Sequence, residues 1–594
     1  MVRLLRILFL LAVVAIHVPG AERLPYRFLL VVGDQWKDPS SKLIEAGGEF
    51  PVIVGLLKTW GLPFDILRLD QQRFDRYYLL DREGRPRYGT IIWDADAGAA
   101  DPKDMGLLTA LVRDYGLGLV SLGDTVAIPE IAAAAGLEYR GPYRLSDGLA
   151  ISTGHFITRG LEGRDKEFPP VDGGSIPGTG VEAKNSTVLA RRGRMPFLTA
   201  SGRCIWLGAD RGSVQIGLQI VRDLFKRALI HAQGYALYAE YPKSVLLFMD
   251  DFGTSDRTYL PYWHYRTLDE NTIRKGLIEP LKRHGAVLMQ DVISGYVDRK
   301  NRRITSPWTQ QVTDEIDGRT QHDYVSAKRG LDAGVREGVF EIQCHGYTHM
   351  LPDLESAPGP FWDAPMDGAG TLGWDEEFGD KLRGKDVPAI TQRFLMERGL
   401  EYIRRDFGVV PLFVINGGSG KSLSYPHHSA RLAAEMGFGL GHFNAVWYLG
   451  QDMALGMTQV AHNAGWAHDR TLPEIQWTTD APQFLIFHDR DISVDINAAE
   501  RLLTSLGPGI RYMTANEYTG YLHAQVERDS EADQPVSLVV SYDPHYCQYF
   551  ASHESTWTLH LSDETRGVIK KPVPEKQPIR IPKGVGKHVV RAGV

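Results

Sequence analysis

A chain of 594 residues, 43% hydrophobic and 23% charged, has the composition of a folded protein and exceeds one ordinary hydrophobic core, so two or three domains are expected. A formal net charge of -7 offers no general attraction for phosphates and argues against a nucleic-acid partner, leaving a neutral substrate as the better fit. Three cysteines, Cys204, Cys344 and Cys547, are too few and too dispersed for a disulfide scaffold or a cysteine-rich zinc site. Cys344, inside an apolar run, reads as a small buried hydrophobe.

The amino end sets Arg3 and Arg6 before an apolar run from Ile7 to Val18, with small residues at Gly20 and Ala21. This is the pattern of a signal peptide over residues 1–21. An uncleaved anchor is the alternative, although the run is shorter than the roughly 18 residues of a membrane span. Either reading places the body outside the cytoplasm, secreted or periplasmic, with no stable membrane span after cleavage.

From Tyr26 the runs RFLLVVGD, YGTIIWDAD and LGLVSLGD alternate with helical patterns in FPVIVGLLKTWG and MGLLTALVRDYG, which predicts a parallel sheet covered by helices over residues 22–240. With HFITRGL and GRCIWLGAD, this region resembles the glutamine-amidotransferase-like group that includes ThuA-like proteins. The resemblance implies a flavodoxin-like or amidotransferase-like α/β domain. That group carries a cysteine nucleophile in a sharp strand-to-helix turn, whereas GLVSLGD offers Ser121 and no cysteine. The domain is therefore expected to be a structural or carbohydrate-binding partner.

A second alternating series contains KSVLLFMDDFG, HGAVLMQDV, GVFEIQCHG, VVPLFVINGG, GFGLGHFN and QFLIFHDRD. Between them lie helical patterns such as the one spacing Phe394, Leu395, Leu400 and Ile403. This predicts a distorted (β/α) barrel over residues 241–525, with its site at the carboxyl ends of the strands. The interval Gly253 to Gly330, rich in Tyr, Trp and charge, reads either as a substrate-facing loop or as surface elaboration. After Gln534, short runs separated by Asp, Pro and Gly turns predict a small β-sandwich within residues 526–594.

The chemistry-bearing motifs lie in the second series. His345 and His349 are spaced i, i+4, which on a helical turn puts both imidazoles on one side, as a metal site needs. The spacing alone does not make a metal site. Asp250 and Asp251 follow the apolar strand SVLLFM, and two adjacent buried carboxylates repel unless a cation separates their roles.

A strand ending in Asp-Asp, a later one ending in His-x-x-x-His and a last one ending in His resembles the polysaccharide deacetylase (NodB homology) superfamily. The resemblance implies that Asp250 is the general base, that Asp251, His345 and His349 ligate a divalent metal with Zn2+ the first candidate, and that His488 is the general acid. It also implies an N-acetylated polysaccharide as substrate. Asp489 or Asp491 is a candidate to orient the His488 ring. Three departures stand out: Gly346 replaces the usual Ser or Thr, Asp251 lies unusually far ahead of His345, and the Arg-containing third motif is missing, with Asn416 and Gly417 at that strand end. The oxyanion donors and the carboxylate that tunes the base stay open. Trp447 and Trp466 are candidates for the cleft, with core packing the plainer reading. NGGSGKS lacks the first glycine of a phosphate loop, and His427 and His428 read as surface residues.

The expected function is a metal-dependent hydrolase that removes N-acetyl groups from an extracellular or cell-envelope polysaccharide. The alternatives are a catalytically inactive carbohydrate-binding or scaffold protein on the same fold, and a small-molecule amidohydrolase.

Overall fold

The computed structural model describes residues 24–33, 49–145, 148–168, 176–209, 218–261, 264–352, 376–380, 385–417, 428–443, 445–450, 454–457, 461–463, 475, 477–532, 534–569 and 571–592. The expected signal segment, His427 and Trp466 lie outside them.

The first sheet contains β1 (Phe28–Val32), β2 (Phe64–Arg68), β3 (Thr90–Trp93), β4 (Gly118–Leu122), β5 (Leu149–Ile151), β6 (Thr187–Arg192), β7 (Met195–Ser201) and β8 (Cys204–Leu207), in the order β2-β1-β3-β4-β8-β7-β6-β5. The first five positions of that order are mutually parallel and the last three strands attach antiparallel. Strands β1, β3, β4 and β8 are buried along their whole length, which is why they read as unbroken apolar runs. Helix α1 (Glu49–Thr59) connects β1 to β2, α2 (Pro102–Tyr115) connects β3 to β4, and α3 (Gln219–Gln233) follows β8. Asp101 caps the start of α2 by accepting the Lys103 N–H, and Gly116, at φ 69°, takes the left-handed turn that ends it. Ser121 is fully buried in β4 with its hydroxyl on the Ile205 carbonyl at 3.4 Å, so it presents no nucleophile.

The second sheet contains β10 (Ser244–Phe252), β11 (Leu288–Val292), β14 (Phe340–Cys344), β15 (Phe413–Ile415), β16 (Leu440–His442), β17 (Val446–Leu449), β18 (Ala454–Gly456), β19 (Ala461–Asn463) and β20 (Gln483–His488). Its order is β18-β17-β16-β15-β14-β11-β10-β20-β19, with β21 (Arg511–Met513) also beside β10. Pairing is parallel from β16 through to β19, and the path is open at its two ends among the described residues. A hairpin, β12 (Gln311–Thr313) and β13 (Gln321–Asp323), precedes α4 (Tyr324–Arg336). Helix α5 (Ala389–Phe407) has Leu395, Leu400 and Ile403 buried, as the helical spacing predicts, and ends on Gly408 at φ 69°.

Successive strand residues face opposite sides. Val245, Leu247, Met249, Leu288, Val292, Ile342, Leu485 and Phe487 pack on one face with residues of α4 and α5. Leu246, Phe248, Met289, Phe413, Ile415, Leu440 and Phe484 share the other face with a core that extends to α1 and α3 of the first sheet. By the same alternation, Asp250, Asp291, His345, His442 and His488 continue this second face at the carboxyl ends of their strands.

The carboxyl-terminal region holds two three-stranded antiparallel sheets. One joins β22 (Gln525–Arg528), β23 (Ser537–Tyr542) and β26 (Gly586–Arg591). The other joins β24 (Ser555–Leu561) and β25 (Lys576–Ile581) to β9 (Tyr235–Tyr238), a strand that the sequence division leaves at the end of the first domain. All four β9 residues are buried, and its backbone groups find their partners on β24. Among the described residues, no helix is long and apolar enough to cross a membrane.

Candidate metal centre

Asp250 and Asp251 end β10 on a distortion. In a regular strand they would face opposite sides, but register slips between Met249 and Phe252, and Asp251 takes φ 69°, a left-handed value uncommon away from glycine. Such a conformation costs about 1–3 kcal/mol and persists only where the surroundings impose it. Here the Arg257 Nη2 donates to the Asp251 carbonyl at 2.7 Å. The result is that both carboxylates serve one site.

Asp251 Oδ1 lies 3.2 Å from His345 Nε2 and 3.4 Å from His349 Nε2, and all three residues are buried. A tetrahedral ion with bonds of about 2.0–2.1 Å sets its ligand atoms about 3.3 Å apart, so these three residues fit a divalent metal without rearrangement. Their ligand atoms form a mutually close group. His488 Nε2 stands 3.9 Å from the other Asp251 oxygen, Oδ2. Asp250, paired in register with His488, is buried, and its Oδ1 has no hydrogen-bond partner. The five residues expected from the sequence therefore come together.

The helical turn expected at 345–349 does not form. The chain leaves β14 in a bend, with Gly346 at φ 80° and His349 at φ 59°. The Glu377 carboxylate organises it by accepting the N–H groups of Tyr347, Thr348 and His349 at 3.0–3.3 Å. A buried carboxyl, pushed up to about 7 by burial, thus takes over the N–H groups that intrahelical bonds would have satisfied. Gly346 is needed twice over, for its left-handed φ and because a Cβ there would collide with Glu377 Oε2. Gly417, at the strand end flagged in the sequence, packs so close that its Cβ would come 2.9 Å from the His349 Cα.

His349 Nδ1 donates to Asp256 Oδ2 at 2.7 Å, which turns Nε2 towards Asp251. Such outer partners set tautomer and basicity, and their loss commonly costs 10–100-fold in metal affinity. Asp256→Ala is accordingly expected to weaken Zn2+ binding by about 10–100-fold in competition with a chromogenic chelator. Of the two aspartates beside His488, Asp491 is the neighbour: its Oδ2 accepts the His488 backbone N–H at 2.9 Å and lies 3.9 Å from the ring Nδ1. Asp489 instead binds Arg257 Nη2 and the Tyr265 hydroxyl, each at 2.7 Å.

Burial pushes the Asp250 carboxyl well above the ordinary carboxylate range, with Asp291 and Asp251 adding to the rise against His345 and His349. Burial acts on Asp251 in the same sense, but His488, His345 and His349 outweigh it and hold that group low. His488 is pushed down by burial, with Asp251 opposing. Two residues of this face were not singled out in the sequence. Asp291 ends β11 with its carboxyl raised by burial, and His442 ends β16 with its imidazole lowered to about 4 by burial and then by His345. The available signal was only that each sits near the end of a strand-like run.

In the aromatic interval 253–330, whose Tyr262 and Trp263 lie outside the described residues, Tyr259, Tyr296, Trp308 and Tyr324 are buried against the sheet, while much of the β12–β13 hairpin is exposed surface. Trp447 packs on the helix-covered face of the sheet, edge-on to Phe443, and not in the cleft.

No family model and no curated protein sequence matches the chain. Among solved structures, the Xyl-CE4 domain of a multidomain xylanase from the hindgut metagenome of Trinervitermes trinervoides is 13% identical, over 47% of this chain and 89% of that one, at a TM-score of 0.24. The chain is similar to solved CE4 structures. A family 4 carbohydrate esterase from Streptomyces lividans, solved with acetate, is 11% identical over 46% and 91%, at 0.21. A CE4 family pseudoenzyme from Bacillus anthracis is 12% identical over 47% and 65%, at 0.25.

Proposed function

We propose that the chain is a metal-dependent hydrolase that removes N-acetyl groups from an extracellular or cell-envelope polysaccharide. The observation that carries this reading is the convergence of Asp251, His345 and His349 at ligand spacing, with a second carboxylate beside them, Asp250, whose Oδ1 has no hydrogen-bond partner. Asp251, His345 and His349 would hold a divalent ion, with Zn2+ favoured by two imidazoles and one carboxylate. When bound, such an ion supplies a Lewis acid that polarises an amide carbonyl and makes water a nucleophile near neutral pH.

Asp250 takes the proton of the attacking water, and its upward shift by burial moves it towards the range that suits a general base. The C–N bond breaks as His488 delivers a proton to the departing nitrogen, giving acetate and a free amine. Asp491 accepts the His488 backbone N–H and lies 3.9 Å from the ring Nδ1, which fixes the start of the helix that carries the ring.

The test is acetate release from N-acetylated hexosamine polymers by the full chain, with and without chelator and with Zn2+ restored. Release that chelation stops and Zn2+ restores is expected. Polymer binding with no acetate under any metal would replace this reading with the inactive carbohydrate-binding one, and acetate from small amides alone would replace the substrate.

A further inference from the structure

The segment that leaves Asp251 carries Asp256 and Arg257, both of which support the first centre, and then meets a second cluster. His264 Nε2 lies 2.9 Å from Asp314 Oδ2 and 3.5 Å from Asp317 Oδ2. Both aspartates belong to the connection between β12 and β13. Asp314 Oδ1 accepts the N–H groups of Ile316 and Asp317, and Asp317 Oδ1 accepts those of Arg319 and Thr320, so each residue spends one oxygen on the turn. The second oxygen of each faces His264, and Asp317 Oδ2 also accepts the Thr320 hydroxyl.

Asp314 is only 1% exposed, and a second, buried imidazole reaches the same oxygen, with His322 Nε2 at 3.2 Å and its Nδ1 on Thr267 Oγ1 at 3.0 Å. Burial lowers His322 to about 4, leaving it neutral at ordinary pH. Two carboxylate oxygens thus converge on one imidazole nitrogen, a donor set that a divalent cation can bridge.

We propose that His264, Asp314 and Asp317 form a second divalent-cation site, structural in role, that fastens the segment following Asp251 to the β12–β13 hairpin. The three candidate ligand atoms lie within 4.8 Å of one another, and the two distances from His264 bracket the roughly 3.3 Å ligand spacing of a tetrahedral ion. An imidazole donor selects a first-row ion such as Zn2+ over Ca2+ or Mg2+, which take oxygen ligands. His264 and Asp317 are partly exposed, so water completes the coordination. Thr267, on the same segment, reaches His322 beneath the cluster, and an ion here would steady Asp256 and Arg257 at a distance from the catalytic cleft.

The experiment uses the full chain with Zn2+ as the probe. Elemental analysis after dialysis against Zn2+ should give two ions per chain in the wild type and one each in His345→Ala and His264→Ala. In the His345→Ala background, Zn2+ should still raise the thermal midpoint, Ca2+ should not, and adding His264→Ala should abolish the rise. His264 is a surface residue, so its loss leaves the fold intact. If His345→Ala loses its ion while His264→Ala changes neither stoichiometry nor the Zn2+-dependent shift, the second site is refuted and the deacetylase reading stands. If the ion lost with His264→Ala is the only one the wild type binds, the first centre fails instead.

Discussion

Asp250→Asn is expected to lower acetate release by about 10²–10⁴-fold, the span of a lost general base, while bound metal stays in place. Asp251→Asn is expected to remove metal and activity together. The two residues are chain neighbours of one chemical type, so composition and bulk charge cannot account for a difference between them. It follows from geometry: Asp251 Oδ1 lies between two imidazole nitrogens, whereas Asp250 pairs in register with His488 and presents an oxygen without a partner. In the metal-free chain the Asn variant should also be the more stable protein at neutral pH. A carboxyl whose folded pKa is raised contributes stability that is fully present below its unfolded pKa and is lost as pH rises through the folded one. The charged group is therefore the costly form, and Asn removes it. Metal content, turnover and, after chelation, thermal midpoint measured on one preparation check all three statements. Loss of the ion from Asp250→Asn would show that Asp250 is a ligand and would overturn the division of roles.

The elements that place this site were readable because their signals are local. An apolar strand running into Asp-Asp, two histidines four apart after another strand and a histidine closing a third can each be seen in a short window, and all five side chains converge. The supports were not readable, because each is a contact between loops far apart in sequence. Nothing in HGYTH announces that Glu377 will hold its N–H groups, and helical spacing was the wrong model for a bend built on Gly346. Asp256 and Arg257 follow Asp251 closely, yet their roles depend on His349 and Asp489. The pairing of Tyr235–Tyr238 with Ser555–Leu561 has the same character, since a short, wholly apolar strand carries no mark of which edge it will join. Aromatic richness in 253–330 left a sugar-facing loop and surface elaboration both open, because Tyr also serves as a core residue when its polar tip finds a partner, as Tyr259 does on the Val297 carbonyl.

The largest loss of stability among the support residues is expected at Arg257. Its guanidinium is fully buried, and Nη2 alone reaches the Asp251 carbonyl, the Asp489 carboxylate and the Tyr265 hydroxyl, while Nε and Nη1 have no partner. Removing one member of a buried ion pair costs about 3–5 kcal/mol because the other charge is stranded. Arg257→Met should destabilise the chain by that amount in denaturant titration and also weaken Zn2+ binding, since it releases the carbonyl that keeps Asp251 in its left-handed turn. Pairing it with Asp489→Leu separates the two effects. The double variant removes the stranded carboxylate and should recover most of the stability, because buried ion pairs replaced by apolar residues are often neutral. It should not recover metal affinity, because Asp251 still lacks its support. If Arg257→Met left the metal site at wild-type affinity, the backbone of Asp251 would be held by β10 alone, and the guanidinium would serve only to neutralise Asp489.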